Sequence, residues 1–313
     1  LKQQGLKKTP PGYEIDHKTV LDGHATLSVD TLASGMLSGL TSPARPWFKL
    51  SLPDADLMEY APVKEWLDDT QHRMQDVYSK SNIYGCLHTV YSEVASFGTA
   101  CLFLEEDYNN VVRGRVFTCG EYFLSNGSDG RVNGFYRRFW MTVGQMVDMF
   151  GIENCSPQTQ TMFKNNQPDS WIRINHLVEV NDDRVAFLKD SANMPYRSVY
   201  WEDGTMMTSY LSMSGYDDFP ILSPRWETTT TADVYGRGPG WKALGDVKML
   251  QKLQKQKLIA LDKMTNPPMQ VDASVQGEVN TMPGGITRSS SMLPNVGIRP
   301  AFQVAIDLDH LEL

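Results

Sequence analysis

The chain has 313 residues, of which 41% are hydrophobic and 21% charged, so it can form one large or two ordinary domains around a real core. Its formal net charge of −8 excludes attraction of the whole molecule to nucleic acid or to an anionic membrane surface. The longest apolar stretches, such as Ala100–Leu104, are far shorter than the roughly 20 residues of a membrane-spanning helix, so no membrane partner is expected.

The chain opens with a polar segment and then changes to a helical pattern. Residues 1–25 include the run TPPG, which predicts an irregular N-terminal arm. From Val29 to Leu40 the apolar residues recur at helical spacing, and Pro43 prevents the predicted helix from continuing. Gly35 and Gly39 lie four residues apart, so a neighbouring element can approach that face of the helix closely.

A stiff aromatic corner follows this helix in the stretch TSPARPWFKL. Its two prolines, Pro43 and Pro46, argue against both helix and sheet, and Trp47 and Phe48 follow at once. Such a segment loses little entropy on ordering, and burial of each large side chain contributes about 2–3 kcal/mol. We predict that these four residues pack the first helix against the core of the domain. The alternative is a buried corner with no role in assembly.

The next region is helical and then switches to strands. A helical region begins near Asp54 and ends at Gly98. Alternating patterns with turn signals such as NGSDG predict antiparallel strands up to Met141, and a short helix follows over Thr142–Gly151. A second set of strands is predicted in the segments WIRINHLVEV, RVAFLKD, RSVYWED and TMMTSYLSM.

A loop rich in glycine precedes the longest predicted helix. Residues 224–240 read PRWETTTTADVYGRGPG, and we predict a hinge made by Gly236, Gly238, Pro239 and Gly240. Glycine there permits positive φ, and the proline fixes the start of the helix. The alternative is a phosphate-binding loop at a helix N-terminus, as in a nucleotide-binding enzyme, although the GxGxG spacing matches neither standard phosphate-loop motif.

The predicted helix Trp241–Met264 contains no breaker apart from Gly245 and would be about 36 Å long. Six lysines and two aspartates give it a charge of +4 within a chain of −8. Such a helix either has an ordinary solvated face or contacts a nucleic-acid backbone. Its leucines and isoleucine surround the axis, which is expected where identical subunits pack against several faces. The lysines are Lys242, Lys248, Lys252, Lys255, Lys257 and Lys263.

Motifs for catalysis or metal binding are not found in the sequence. The six histidines are isolated from one another, and neither HExxH nor a Cys/His cluster occurs. No GxSxG nucleophile motif is present. We therefore expect no catalytic residue, no metal and no cofactor, and we expect the four cysteines to be free thiols.

Three long blocks carry a specific resemblance to a known family. They are DTLASGMLSGLTSPARPWFKL, SNIYGCLHTVYSEVASFGTACLFLEED and PRWETTTTADVYGRGPGWKALGDVKMLQKLQKQKLIALDKMTNPPM. Together they resemble the head-to-tail connector, or portal, proteins of short-tailed, podovirus-type bacteriophages, in the same order along the chain. The resemblance implies an α+β portal fold with a wing of mixed helices and strands, a long stem helix and a small clip that contains β-structure.

The resemblance also implies a division of the chain. Its segments are an N-terminal arm (1–25), a wing (26–223), a hinge loop (224–240), the first stem helix (241–265), a clip (266–305) and the start of a second stem helix (306–313). The C-terminal part of the family fold is expected to be missing. Within the clip, the candidates for contact with the packaging motor and the tail adaptor are Met282, Pro283, Arg288 and Arg299.

The function implied by the resemblance is structural. Portal proteins form a ring, generally of twelve subunits, at one vertex of the capsid, assembled in the bacterial cytoplasm and retained in the virion. A terminase motor packages double-stranded DNA through the ring, the DNA is later ejected through it, and the tail attaches there. The implied partners are other copies of the chain, DNA, the terminase large subunit, a tail adaptor, and capsid and scaffolding proteins.

Under this interpretation the six lysines of the long helix are the candidates for the DNA channel. We expect weak, salt-sensitive contact without recognition of bases. Two alternatives remain: a nucleotide-binding enzyme that uses the glycine-rich loop 236–240, and a tail or adaptor protein of the same virion.

Overall fold

The computed structural model describes residues 20–185, 187–188, 190–204, 210–267, 269–271, 275 and 298–300. The described chain divides into two compact units at Leu244 and Gly245; residues 20–23 belong to the second unit. The predicted α+β class is confirmed, because both units combine helix with antiparallel sheet.

The described part of the first unit begins with four helices. They are α1 (His24–Leu40), α2 (Ala55–Glu59), α3 (Ala61–Lys80) and α4 (Ile83–Phe97). α1 packs along α4, where Ala33 is fully buried. The predicted stop at Gly98 is confirmed: this residue caps α4 with φ of 85°.

Two antiparallel sheets follow in the first unit. One has the order β2-β1-β8 and the other the order β3-β4-β5-β6-β7. The strands are β1 (Cys101–Asp107), β2 (Val111–Phe117), β3 (Tyr122–Asn126), β4 (Val132–Thr142), β5 (Trp171–Val180), β6 (Tyr196–Glu202), β7 (Ser212–Tyr216) and β8 (Ile221–Leu222). The first predicted set of strands is confirmed, and so are β5 and β6.

Two short helices lie between β4 and β5. α5 (Val143–Phe150) is the predicted short helix, and Thr142 and Gln145 form a capping box at its start. The second helix, α6 (Pro157–Lys164), was not predicted from the sequence. Its start is held by Glu202 of β6, whose carboxylate accepts hydrogen bonds of 2.7 Å from the backbone N and Oγ of Ser156 and from Oγ1 of Thr159.

The core of the first unit lies on the sheets. One apolar cluster joins Phe103 and Phe117 of the three-stranded sheet to Phe135 and Val178 of the five-stranded sheet. A second cluster packs Met146 of α5 against Ile174 of β5. Alternation along the strands places these side chains on the inward faces, as the period of two requires.

One predicted strand, RVAFLKD, is wrong for its described residues. Val185, Phe187 and Leu188 lie in the connection between β5 and β6, with exposed fractions of 50%, 95% and 55%. The alternating pattern is real, but no described strand pairs with these residues, so their apolar side chains remain in solvent.

The aromatic corner after α1 is less buried than predicted. Pro43 and Pro46 are exposed, Trp47 is 37% exposed, and Phe48 is half-buried. Both rings pack on Tyr78 of α3, with centroid distances of 6.2 and 6.0 Å, and not on the core of the sheets. Prolines that remain in solvent set the direction of the chain without contributing burial energy.

The second unit contains the C-terminal part of α7 (Pro239–Thr265) and a two-stranded sheet. The strands are β9 (Met269–Val271) and β10 (Ile298–Pro300), paired antiparallel. β9 follows α7 closely because Pro267 and Pro268 prevent the helix from continuing.

Candidate functional site

The loop before α7 is packed against the end of α4. The backbone N of Trp226 donates a hydrogen bond of 2.9 Å to the carbonyl of Gly98. The backbone N of Gly236 donates one of 2.7 Å to Oγ1 of Thr99. The amide of Arg237 is also used, since it donates to the carbonyl of Glu227. The start of the long helix is therefore held at several points.

The three loop glycines are required by close packing, and not by positive φ as the sequence analysis predicted. None of Gly236, Gly238 and Gly240 has a positive φ. A Cβ on Gly238 would lie 2.5 Å from the carbonyl oxygen of Val94, and one on Gly240 would lie 2.6 Å from that of Ser96. The hinge assigned to these residues and Pro239 is thus a close junction in the structure. Pro239 is the first residue of α7, two residues earlier than predicted.

This packing argues against a phosphate loop. Carbonyl oxygens of α4 lie against the glycines, and their partial negative charge repels an anion. The amides of Gly236 and Arg237 already have acceptors. Within the described residues, no three His, Cys, Asp or Glu side chains are grouped as metal ligands, and no helix is long and apolar enough to cross a bilayer.

The long helix itself is exposed to an unusual degree. α7 has 27 residues, and none of them is buried. Met249, Leu253 and Leu258 are 58%, 53% and 50% exposed. A helix of this length that is stable in water usually buries an apolar stripe. α7 therefore has apolar surface that the described residues of the chain do not cover.

The lysines of α7 are not distributed evenly. At about 100° per residue, Lys248, Lys252, Lys255 and Lys263 fall within about 80° of the helix circumference. We call these four residues the lysine face. All four are exposed, and the first three form no ion pair with a described residue.

The two remaining lysines lie elsewhere. Lys242 donates a hydrogen bond of 2.6 Å from Nζ to Oε2 of Glu227, and this lysine lowers the pKa of the glutamate. Lys257 is half-buried and projects from another side of the helix. The structure thus brings four of the six predicted channel lysines onto one face and separates the other two from it.

The opposite side of α7 is the half-buried one. Val247, Leu250 and Leu261 are half-buried there, and Gln251 is half-buried between them and the lysine face. The Gln251 side chain accepts a hydrogen bond from the backbone N of Leu21 at 2.9 Å and donates one of 2.7 Å to the carbonyl of Asp22. The lysine face therefore points away from the side on which the helix packs.

Most of the predicted clip residues fall outside the described part of the chain. These are Met282, Pro283 and Arg288. Arg299 is in β10, where its backbone is paired with Gln270.

A buried polar cluster was missed by the sequence analysis. His176 is fully buried; its Nδ1 accepts a hydrogen bond of 3.2 Å from Nε of Arg137. Because arginine is always a donor, His176 carries its proton on Nε2 and donates it to Oγ of Ser198 at 3.0 Å. Burial, and then the charge of Arg137, lower the pKa of His176 well below its usual value. These residues come from three adjacent strands, so no local pattern could indicate the cluster.

A long exposed helix with a fixed start is a feature expected of structural subunits, in which helices pack against other chains. The chain belongs to the bacteriophage head to tail connecting protein family, whose model matches residues 3–312. This confirms the resemblance seen in the sequence and places the chain in a family of structural portal proteins, not of enzymes.

Two curated proteins are similar over most of the chain. The portal protein of Salmonella phage epsilon15 is 43% identical over 287 residues, and the probable portal protein of Bordetella phage BPP-1 is 41% identical over 299 residues. The matches cover 91% and 95% of this chain, but 51% and 54% of those proteins. The chain thus spans about half the length of the curated relatives it matches.

Proposed function

We propose that this chain is the subunit of a portal ring at one capsid vertex, through which double-stranded DNA enters and leaves the head. The observation that carries the proposal is the absence of buried residues in the 27-residue α7. In a ring each subunit contacts two neighbours through two different surfaces. Apolar residues on more than one side of α7 suit that arrangement, because each side then meets a different neighbour.

The distribution of charge supports transit of DNA without tight binding. Each ion pair with phosphate adds affinity and salt dependence. The lysine face supplies four positive charges per subunit, in a chain whose net charge is −8. We propose that this face lines the channel and makes weak backbone contacts that carry no sequence information.

The remaining assignments follow from family membership. We propose that residues 26–223 form the wing, that α7 is the first stem helix, and that residues 266–305 form the clip. The clip would meet the terminase motor during packaging and a tail adaptor afterwards, through Met282, Pro283, Arg288 and Arg299. Capsid and scaffolding proteins would contact the ring during assembly in the host cytoplasm.

Native mass spectrometry and negative-stain microscopy test the ring directly. We expect closed rings, with twelve as the expected subunit number, and an axial opening in class averages. Leu253→Ser, at a 53% exposed position of α7, should reduce the fraction in rings. Leu27→Ser is the matched control, since Leu27 is a 66% exposed leucine of α1. Single molecules without an opening would overturn the proposal, and microscopy of virions would distinguish a portal from an adaptor.

A further inference from the structure

An open apolar groove lies in the first unit between α1, α4 and the segment Pro224–Trp226. It has a volume of about 920 Å³. The side chains of Met36, Val90 and Trp226 line it, and Gly35 and Gly39 form part of its wall. We call it the α1–α4 groove. An apolar concavity of this size accommodates several large side chains.

The two glycines keep the groove open. A Cβ added to Gly35 or Gly39 would meet no atom within 4 Å. The close approach that their spacing predicts is therefore not made by the described residues of the first unit. The groove remains available to a group from outside it.

The same chain carries an apolar protrusion with acidic surroundings at the start of α3. Residues 54–66 include no buried residue, and Leu57, Tyr60 and Trp66 are 48%, 61% and 64% exposed. α3 is about 30 Å long, so its start lies far from its connection to α4. We call residues 54–69 the acidic corner, because they include six carboxylates and one lysine.

The charges around the two features are complementary. Arg45 donates hydrogen bonds to the carbonyls of Ser38 and Gly39 at 3.2 Å, which places its guanidinium at one end of the groove. Arg225 lines the groove and donates only to backbone carbonyls. Neither arginine is paired with a described carboxylate. On the acidic corner, Asp56, Glu59 and Glu65 have no cationic partner among the described residues.

We infer that the α1–α4 groove receives the acidic corner of a second copy of this chain, with Trp66 as the anchor. The inference rests on the proposed ring and identifies one of its subunit contacts. A contact between two different surfaces propagates around a ring, as closed cyclic symmetry requires. Exposed tryptophan and tyrosine that enter an apolar pocket are the side chains that most often dominate binding energy. The facing arginines and carboxylates fix the orientation of the contact.

Two glycine substitutions test the groove with a matched control. Gly35→Leu fills the groove, whereas Gly85→Leu adds the same side chain to an exposed position of α4 where a Cβ also meets nothing within 4 Å. Both variants should fold, which thermal unfolding checks. We expect Gly35→Leu to reduce ring formation in native mass spectrometry and Gly85→Leu to leave it unchanged. Trp66→Ala should weaken association about thirtyfold, the effect of losing an anchor of about 2 kcal/mol.

Photo-cross-linking identifies the partner surface. Benzoylphenylalanine replaces Trp66, and the cross-linked peptides are mapped by mass spectrometry. The inference expects a bond between chains to α1, α4 or Pro224–Trp226. A cross-link within one chain, or to another surface of a neighbour, overturns it. If wild-type protein forms rings and Gly35→Leu forms them equally well, the inference fails and the proposed function stands. If wild-type protein forms no assembly, both fail.

Discussion

The five-stranded sheet and the long helix differ most clearly in what they bury. On β5, Ile174, His176 and Val178 are all fully buried, and their neighbours on β4 and β6 complete the packing. On α7 no residue is buried over 27 positions. The sheet region is therefore completed by its own chain. The helix keeps apolar surface that the described residues do not cover, and in the proposed ring a neighbouring subunit would cover it.

Replacing a buried phenylalanine of the core by alanine should produce the largest loss of stability. Phe103 is 1% exposed, and its ring lies 6.1–6.3 Å from those of Phe117, His176 and Tyr216. Phe103→Ala removes this burial and leaves a cavity, so the free energy of unfolding should fall by about 3–5 kcal/mol in a urea titration. Phe187→Ala is the control, because Phe187 is 95% exposed, and it should change stability by less than about 0.5 kcal/mol. Equal effects would contradict the contrast between buried and exposed regions.

Replacing glycine by alanine should destabilise the protein in the junction before α7 but stabilise it within the helix. Gly238→Ala places a Cβ 2.5 Å from a backbone carbonyl, and overpacking of this kind costs about 1–3 kcal/mol. Gly245→Ala meets nothing within 4 Å inside the helix and should stabilise it by about 0.5–1 kcal/mol. Thermal unfolding of both variants measures the difference. Two stabilising substitutions would mean that the junction is a loose hinge after all.

A third test measures how the free energy of unfolding depends on pH, because His176 is buried in the five-stranded sheet. The pKa of His176 is lowered in the folded state, so the folded protein keeps this side chain neutral while the unfolded chain takes up a proton near its usual pKa of about 6.5. Stability is therefore fully present above that pH and is lost as the pH falls below it. The slope should approach about 1.4 kcal/mol per pH unit.

The comparison variant for this test is His176→Gln. It removes the titrating group, so the slope between pH 6.5 and 5 should be smaller than in the wild-type protein. Measurements at pH 8, where the histidine is neutral in both states, separate the cost of altered packing from the effect of protonation. An unchanged slope in the variant would show that other groups cause the pH dependence.

The features that could be predicted from sequence are those coded locally. α5 has its capping box within four residues, β5 alternates over its whole length, and α7 is rich in good helix formers. The packing of the glycine loop could not be predicted, since Gly236 is bonded to Thr99, 137 positions away in the chain. The start of α6 depends in the same way on Glu202, over 40 residues distant.

In the candidate site too, some features could be predicted from the sequence and others depend on contacts between distant residues. The number of lysines on the long helix and the positive charge of that helix were visible in the sequence. Helical periodicity fixes which of them share a face, but whether that face is exposed depends on where the helix packs. Gln251, by bonding to Leu21 and Asp22, helps to set that side, and the contact joins residues about 230 positions apart. Lys257 lies about 180° from Lys248 around the helix, so its exclusion from the face could be predicted from the sequence.

The smallest effect on stability is expected on the lysine face, although the effect on DNA binding should be clear. Lys248, Lys252 and Lys255 are exposed and unpaired in the described structure, so changing all three to Gln should alter unfolding by less than about 0.5 kcal/mol. Each lysine that neutralises a phosphate adds about 0.9 to the slope of log K against log salt, so removing such a lysine should reduce that slope by about one.

The control is Lys257→Gln, on the half-buried side, which should leave the slope unchanged. DNA binding by assembled rings, measured at several salt concentrations, compares the variants. Because both substitutions remove positive charge from the same helix, an equal decrease in slope per lysine would mean that only the charge of the helix matters. A decrease confined to the triple variant would mean that its orientation matters as well.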